Sequence, residues 1–326
     1  MPEHDTAGFL ATVPLLDGWA TPERQELARV LRRRSAREGD VLWHQGDAAR
    51  DMLFVVEGGF SASLRVPGDR SVEVGRAGPG DMVGEIALLD GGTHTMTVTA
   101  TEAATVLVLG RRDLHALLAR PHPTAFSLKR RLARLFATRL RNQLAHLAAP
   151  FGDVLAGPPA EDAAREIAAL EECAPPDSAY MRRMATFHDF DQLAVWGFLT
   201  SGRYARCAPG GELLAEGTPS PACYLTINGA VEKVMIRGDR RIRVGLAGPG
   251  RAFGYEGLID GGPSPVTAIA RERSLLLILP RSAFETLFTA EDPISRVFLD
   301  VIQRDLVATL RQALSPLARL VASRRA

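Results

Sequence analysis

The chain has 326 residues, a formal net charge of +1 and a charged fraction of 24%, which is long enough for two ordinary globular domains. A net charge so close to zero creates no overall field that would attract nucleic acid or a membrane surface. Three scattered cysteines, Cys173, Cys207 and Cys223, lie at no metal or redox spacing, which is typical of a reducing compartment. The acidic N-terminus argues against a signal peptide, and the longest apolar run, near Leu275–Leu279, is too short to span a bilayer. We therefore expect a cytoplasmic protein that does not enter a membrane.

One pattern of domain size occurs twice in the chain. Gly84 matches Gly254 and Asp90 matches Asp260 at a constant interval, and an Ala-Gly-Pro-Gly motif recurs at 77–80 and 247–250. The unit of roughly 140 residues is too long, and too few copies are present, for a solenoid. The predicted organisation is a first domain over 1–148, a proline-rich linker with a short acidic helix (Glu161–Glu172) over 149–177, and a second domain over 178–326.

The first repeat is predicted to consist mostly of short strands between two helices. A helix is expected over Pro22–Arg34, opened by Thr21, and a longer amphipathic one over Thr124–Ala148. The strand candidates, each bounded by turn residues, are Val41–Trp43, Met52–Glu57, Phe60–Val66, Val72–Gly75, Thr95–Ala100 and Thr105–Leu109. Many short strands at even spacing indicate an antiparallel sandwich or barrel. The basic side of the longer helix is interpreted as a solvated face, because no aromatic residues are interleaved as in a nucleic-acid surface.

The second repeat follows the same plan. A helix is predicted over Phe190–Leu199, and a long closing helix over Pro293–Ser323, which Pro316 is expected to kink or end. The strand candidates are Glu212–Leu214, Cys223–Ile227, Val231–Ile236, Ile242–Gly245, Val266–Ala270 and Leu275–Leu279. The apolar stripe of the closing helix is wider than one barrel face needs, so we expect a homo-oligomer formed through the closing helices.

The segment Val83–Ala100 carries the chemistry of the first repeat. Gly84 can turn the chain sharply at the end of a strand, and the following residues can form one helical turn whose free N–H groups attract an anion. Glu85 at this turn can accept a hydrogen bond from a ligand hydroxyl, and a Gly-Gly tip returns Thr93 and the following residues to the same hollow. The spacing alone fits a ligand site and a purely structural turn equally well.

This segment resembles the phosphate-binding cassette of the cyclic nucleotide-binding domain family, as in bacterial catabolite-activator-type regulators and the regulatory subunits of cyclic-nucleotide-dependent kinases. The similarity continues through Gly39–Asp47 and Phe54–Gly59 and covers most of both repeats. It implies a mainly β fold with flanking α-helices: two eight-stranded antiparallel jelly rolls (β-rolls), each closed by a long amphipathic helix. It also implies a cyclic nucleotide as the possible ligand, with Glu85 on the ribose hydroxyl, and no metal or other cofactor. The implied ligand-binding residues are Gly84, Glu85, Ile86, Ala87, Leu88, His94, Thr95 and Met96 in site one, and Gly254, Glu256, Gly257, Leu258 and Ser264 in a weaker site two.

Both sites depart from the family pattern at the phosphate. The family places an arginine there, whereas this chain has His94 in site one and Ser264 in site two. In site two Tyr255 also stands at the position of the family glutamate, Glu256 follows one residue later, and Pro265 removes a backbone donor. Loss of a charge-assisted arginine contact weakens phosphate binding by roughly 10- to 100-fold. If site one binds a phosphate, His94 must be protonated, so affinity should rise as the pH falls through the usual histidine range.

The sequence favours a non-catalytic tandem sensor or regulatory protein that controls a partner protein or its own oligomer. The alternative is a scaffold or dimerisation protein with degenerate pockets that bind no cyclic nucleotide. A third interpretation, a transcription regulator lacking its own DNA-binding domain, is less favoured, and no direct DNA binding is expected because no recognition helix follows the closing helix. An enzyme is not expected either, since no nucleophile, metal set or cofactor loop accompanies Glu85 and His94.

Overall fold

The computed structural model describes residues 3–66, 70–119, 122–148, 169–177, 180–181, 184–237 and 240–324. Two compact units divide the chain: residues 1–131 with 317–326 form one, and residues 132–316 form the other. Most of the predicted linker lies outside the described residues. The last two residues of its predicted helix, Glu171 and Glu172, lie instead in a short strand, which corrects that part of the prediction.

The first unit contains an antiparallel β-roll made of two four-stranded sheets. The sheet orders are β1-β8-β3-β6 and β2-β7-β4-β5. Its elements are α1 Glu3–Leu10, α2 Thr21–Val30, β1 Arg32–Ala36, β2 Val41–Trp43, β3 Asp51–Glu57, β4 Phe60–Val66, β5 Arg70–Ala77, β6 Met82–Val83, α3 Glu85–Leu89, β7 Thr97–Ala100, β8 Ala104–Gly110 and α4 Arg111–Ala119, followed by α5 Pro123–Ala148, which continues into the second unit. Inward-facing residues of both sheets, including Leu53, Phe60 and Val106, form one buried cluster. The predicted strands and the long helix are therefore confirmed to within a few residues.

The second unit repeats this roll with one addition. Its sheets have the orders β15-β12-β17-β10-β9 and β11-β16-β13-β14, which is the first arrangement with β9 added at one edge. Its elements are β9 Glu171–Cys173, α6 Gln192–Leu199, β10 Arg203–Cys207, β11 Glu212–Leu214, β12 Ala222–Asn228, β13 Val231–Arg237, β14 Arg240–Ala247, β15 Ala252–Phe253, α7 Glu256–Asp260, β16 Thr267–Ala270, β17 Ser274–Pro280, α8 Arg281–Thr289 and α9 Pro293–Arg324, the last eight residues of which belong to the first unit. The mainly β fold with two rolls and flanking helices is confirmed.

The predicted helix Pro22–Arg34 is wrong at both ends. The N-cap is Ala20, whose N–H donates to the Glu23 carboxylate at 2.7 Å, and the helix ends at Val30. Residues Arg32–Ala36 form β1, which pairs antiparallel with β8. Three consecutive arginines can continue a helix as easily as begin a strand, and only pairing with a strand some 70 residues later decides between them.

The closing helix α9 is continuous from Pro293 to Arg324, so Pro316 does not end it, contrary to one of the two expectations for that residue. None of the described helices is long and apolar enough to cross a membrane.

Candidate functional site

The first cassette begins at a position that strongly favours glycine. Gly84 follows β6 with φ +90°, in the left-handed region, and forms the N-cap of α3. A Cβ at this position would lie 3.0 Å from Cη2 of Trp43 and 3.2 Å from the carbonyl oxygen of Asp51. Backbone conformation and close packing therefore both require glycine, and they fix where α3 starts.

The predicted residues of site one lie on α3 and on the segment that returns from it. Glu85, Ala87 and Leu88 are buried, whereas Ile86 is half-buried. On the returning segment His94 is only 4% exposed, and Thr95 and Met96 are half-buried. Trp43 of β2 approaches both parts, because its ring lies against Gly84 and stacks on the imidazole of His94.

His94 is held by its backbone and by this stack. Its N–H donates to the carbonyl of Asp47 and its carbonyl accepts from the N–H of Gly46, both at 2.8 Å. The imidazole and indole rings are nearly parallel, at 10°, with centroids 4.1 Å apart. The electron-rich face of an indole favours a cation, so the stack suits a protonated imidazole as well as a neutral one. Sequence analysis missed Trp43, although an aromatic residue on a strand that faces the cassette is a recognisable signal.

A cavity of about 350 Å³ lies beside His94. It is lined by Arg34, Leu42, Trp43, Asp47, Ala48, Arg50, Asp51 and His94. Burial raises the pKa of the Asp51 carboxyl, and the charges of Arg34, Arg32 and Arg50 oppose that shift. Cations near the imidazole thus come from β1 and from the β2–β3 connection rather than from the cassette.

Ser264 is the structural counterpart of His94. Its N–H donates to the carbonyl of Thr218 at 2.8 Å and its carbonyl accepts from Gly217 at 2.9 Å, which repeats the backbone pattern of the first cassette. The side chain is buried, and its hydroxyl donates to the carbonyl of Val266 at 2.7 Å. The hydroxyl that would have to meet a phosphate is therefore bonded within its own loop.

The second cassette is joined to the closing helix by a buried polar network. Gly254, at φ +78°, precedes Tyr255, which is fully buried and donates its hydroxyl to Oδ2 of Asp305 on α9 at 2.5 Å. Nζ of Lys233 lies 3.4 Å from the same oxygen and donates to the hydroxyl of Thr309 at 2.7 Å. The guanidinium of Arg251 bonds the other carboxylate oxygen of Asp305. One aspartate of α9 thus binds three side chains of the roll.

Electrostatics keep this network charged. Burial disfavours ionisation of the Asp305 carboxyl, but the charges of Lys233 and Arg251 and the hydrogen bond of Tyr255 together lower its pKa. Burial, with the nearby charge of Asp305, raises the pKa of the Tyr255 hydroxyl well above its usual value, so the phenol stays neutral and donates.

Glu256 and its neighbours complete the second cassette. Glu256 is 2% exposed, its Oε2 has no hydrogen-bond partner among the described residues, and burial raises the pKa of its carboxyl against the charge of Lys233. A Cβ on Gly257 would lie 2.4 Å from the carbonyl oxygen of Gly262, so the cassette tip packs directly on α7, and Leu258 is half-buried beside it.

An arginine from outside the cassette fixes this tip. Arg141, on the part of α5 that belongs to the second unit, forms a bidentate pair with Asp260 at 2.7 and 2.8 Å. Its remaining terminal nitrogen donates to the carbonyl of Pro263 at 2.8 Å. Bidentate guanidinium–carboxylate pairs restrict geometry strongly, so the loop that carries Ser264 is held in one position.

Sequence analysis also missed Lys233 and Asp305. Lys233 is one of only two lysines in the chain, and Asp305 interrupts the apolar stripe of α9 between Ile302 and Leu306. A charge on an apolar face is the signal that could have pointed to a buried pair, although the sequence does not name its partner.

A family model described as a cyclic nucleotide-binding domain matches residues 33–121 and 205–291. The chain is 33% identical over 129 residues to the cyclic AMP receptor protein of Thermus thermophilus, which is 39% of this chain and 57% of that protein. It is 33% identical over 112 residues to a putative potassium channel protein of Rhodopseudomonas palustris, which is 34% of this chain and 27% of that protein. The chain thus covers only 57% and 27% of the length of these two relatives. Among solved structures, the regulatory domain of Toxoplasma gondii PKA with cAMP aligns over 89% of this chain and 93% of its own, at 17% identity and a TM-score of 0.34.

Proposed function

The chain belongs to the cyclic nucleotide-binding domain family, with one domain in each repeat, and on that premise we propose that it is a non-catalytic regulatory protein with unequal domains. The first domain receives an anionic, nucleotide-like ligand, and the second is closed by its own side chains. Ligand binding in the first domain controls a partner protein or the oligomer.

The observation that carries this proposal is the hydrogen bond from Tyr255 to Asp305. Tyr255 occupies the position at which the family pattern has a ribose-binding glutamate, and here its hydroxyl is already bound to the closing helix. A ligand in the second domain would have to break this bond and leave the buried charges of Lys233 and Asp305 without part of their network. Loss of a hydrogen bond to a charged group costs about 1.5–3 kcal/mol, which would weaken ligand binding in the second domain by roughly 10- to 100-fold.

The first domain keeps more of what a ligand needs. Gly84 begins a helical turn in the required conformation, and Glu85 is at the position that the family resemblance assigns to the ribose hydroxyl. His94 lies at the phosphate position, and its stack on Trp43 is compatible with a protonated imidazole. We infer that lowering the pH strengthens ligand binding at this site.

Helix α5 is the element that we expect to respond to ligand binding in the first domain. It begins in the first unit and continues into the second, where Arg141 holds the cassette tip through Asp260. A ligand that binds one arrangement of α5 better than another shifts the population between the two.

The second candidate function is a scaffold in which neither domain binds a cyclic nucleotide. The burial of His94 against Trp43 favours it, because a ligand phosphate would have to approach an imidazole that is already covered on one face.

Thermal denaturation with cyclic AMP, cyclic GMP and a cyclic dinucleotide separates the two functions. A ligand at 100 times its dissociation constant stabilises the domain that binds it by about 2.7 kcal/mol, which produces a clear shift of the melting temperature. A shift of one unfolding transition supports the sensor. The absence of any shift at millimolar ligand supports the scaffold.

A further inference from the structure

Strand β1 forms one edge of its sheet. In the order β1-β8-β3-β6 it has β8 on one side, and within the described ranges no strand pairs with its other side. Arg32, Arg33, Arg34 and Ser35 of this strand are all exposed. An edge with free N–H and C=O groups is a template for a further strand.

The second roll shows what occupies the same edge there. Its strand β10 pairs with β17 on one side and with β9 on the other, where Ala205 lies opposite Glu172 and Arg206 opposite Glu171. Glu172 also forms a 2.7 Å ion pair with Arg203. Leu170, just before β9, packs against the core of the roll. An acidic extended segment thus completes this sheet.

The two edge strands correspond residue by residue. Arg32 lies opposite Val108 in the first roll, and Arg203 lies opposite Ile278 in the second, so these two arginines occupy equivalent positions. By the same register Arg34 corresponds to Ala205, the residue that faces Glu172. The first roll therefore has an arginine, Arg34, at the position where the second roll has an alanine opposite Glu172.

We propose that the free edge of β1 binds an extended acidic peptide segment of a partner protein, which adds to the sheet as an antiparallel strand in the way that β9 adds to β10. An acidic side chain of this strand lies opposite Arg34 and diagonal to Arg32, where charge pairs across neighbouring strands are stabilising. An apolar side chain two residues before it corresponds to Leu170. The recognised pattern is an apolar residue, any residue, and then an acid.

The cavity beside His94 reaches β1 at Arg34. Arg34 lines it together with Leu42 and Trp43, so a cation and apolar surface meet beside the strand. Neither Arg32 nor Arg34 forms an ion pair with another described residue, and Asp51 is the carboxyl group on which both act electrostatically. The second roll forms the same strand with alanine in place of Arg34, so the fold does not require this arginine.

The charges of β1 also select against a second copy of the chain. Two β1 edges paired with each other would bring arginines of both strands together, and like charges across a pair are destabilising. Charged edge strands commonly prevent self-association in this way. They do not exclude a strand of opposite charge, as β9 on β10 demonstrates.

The test uses the full chain and a labelled probe peptide with the sequence of residues 169–175, in which Cys173 is replaced by serine. In the full chain β10 is already covered by β9, so binding followed by fluorescence anisotropy reports the β1 edge. We expect binding that weakens with salt and that falls roughly tenfold in Arg34→Glu. Arg76→Glu is the matched control, since Arg76 is 77% exposed on β5 of the other sheet, and it should leave affinity unchanged.

Two N-methylated probes separate strand addition from attraction by charge alone. One carries N-methyl groups at positions 171 and 173, the other at 170 and 172. Because only alternate N–H groups face the neighbouring strand, one of the two probes should lose binding and the other should keep it.

Each of the following results would overturn the proposal. They are equal binding of both methylated probes, an affinity unchanged in Arg34→Glu, competition by inorganic phosphate as strong as by the peptide, and no binding up to about 1 mM probe. A dimer that Arg34→Glu alters would assign the edge to a second copy and would also overturn it.

Discussion

The Tyr255 hydroxyl donates to the Asp305 carboxylate at 2.5 Å and so joins the second cassette to the closing helix α9. The equivalent position in the first cassette is Glu85, at the start of α3. At this position the two domains differ chemically, because the second cassette has a tyrosine bonded to α9 where the first cassette has the buried glutamate Glu85.

Replacement of Asp305 by asparagine should destabilise the second unit by about 3–5 kcal/mol, because it leaves Lys233 buried without its counter-charge. Denaturant unfolding measures the loss. Asp189→Asn is the matched control, since the Asp189 side chain is 78% exposed and its replacement should cost almost nothing.

A hydrophobic double variant tests whether Lys233 and Asp305 stabilise the fold as a pair. Lys233→Met combined with Asp305→Leu leaves neither charge unpaired, so the double variant should be more stable than Lys233→Met alone or Asp305→Leu alone. Additive losses in the double variant would mean that the two residues do not act as a pair.

The contribution of Asp305 should also depend on pH. Its folded-state pKa lies below the usual value of 3.8, so the unfolded chain binds the proton more readily. The stabilisation is therefore present above about pH 4 and is lost as the pH falls through the folded-state pKa. The difference in unfolding free energy between the wild type and Asp305→Asn should shrink between pH 7 and pH 3. A constant difference over that range would contradict the assigned charge state.

Gly84→Ala should destabilise the first unit by more than 1 kcal/mol, since it combines positive φ with a 3.0 Å approach to Trp43. Gly39→Ala has a positive φ but open space around the new methyl group, so it should cost less. Gly75→Ala meets neither restriction and serves as the control. Equal losses at Gly84 and Gly39 in thermal denaturation would show that the Trp43 contact contributes nothing.

His94→Arg restores the cation of the family pattern at the phosphate position. We expect it to increase the affinity for a cyclic nucleotide by roughly 10- to 100-fold, measured by isothermal titration calorimetry. Ser264→Arg, the same change in the second cassette, should leave affinity unchanged if, as proposed, the bond between Tyr255 and Asp305 closes that domain. A comparable gain from Ser264→Arg would mean that the second domain is open to ligand.

The repeat, the strands and the long helices could be predicted because they depend on local signals. Turn residues bound each strand, and apolar spacing marks α5 and α9. The two cassettes could also be matched position by position, and the shared backbone bonds of His94 and Ser264 agree with that match. By contrast, β1 and β9 become strands only through pairing with distant residues, so their own sequences do not identify them.

The network of the second domain lay beyond sequence analysis for a similar reason. Lys233 and Asp305 are 72 residues apart, and no local pattern relates a lysine on a strand to an aspartate on a helix. Tyr255 was recognised as a departure from the family pattern, but its partner could be identified only in three dimensions. The departure and the distant pair together are what the proposed closure of the second cassette rests on.

Calorimetric titration of the full chain with cyclic AMP, beside its Glu85→Ala and Tyr255→Phe variants, tests whether the first domain alone binds ligand. We expect one ligand bound per chain, with binding lost in Glu85→Ala and kept in Tyr255→Phe. Two ligands bound per chain, or one ligand whose binding survives Glu85→Ala, would contradict it.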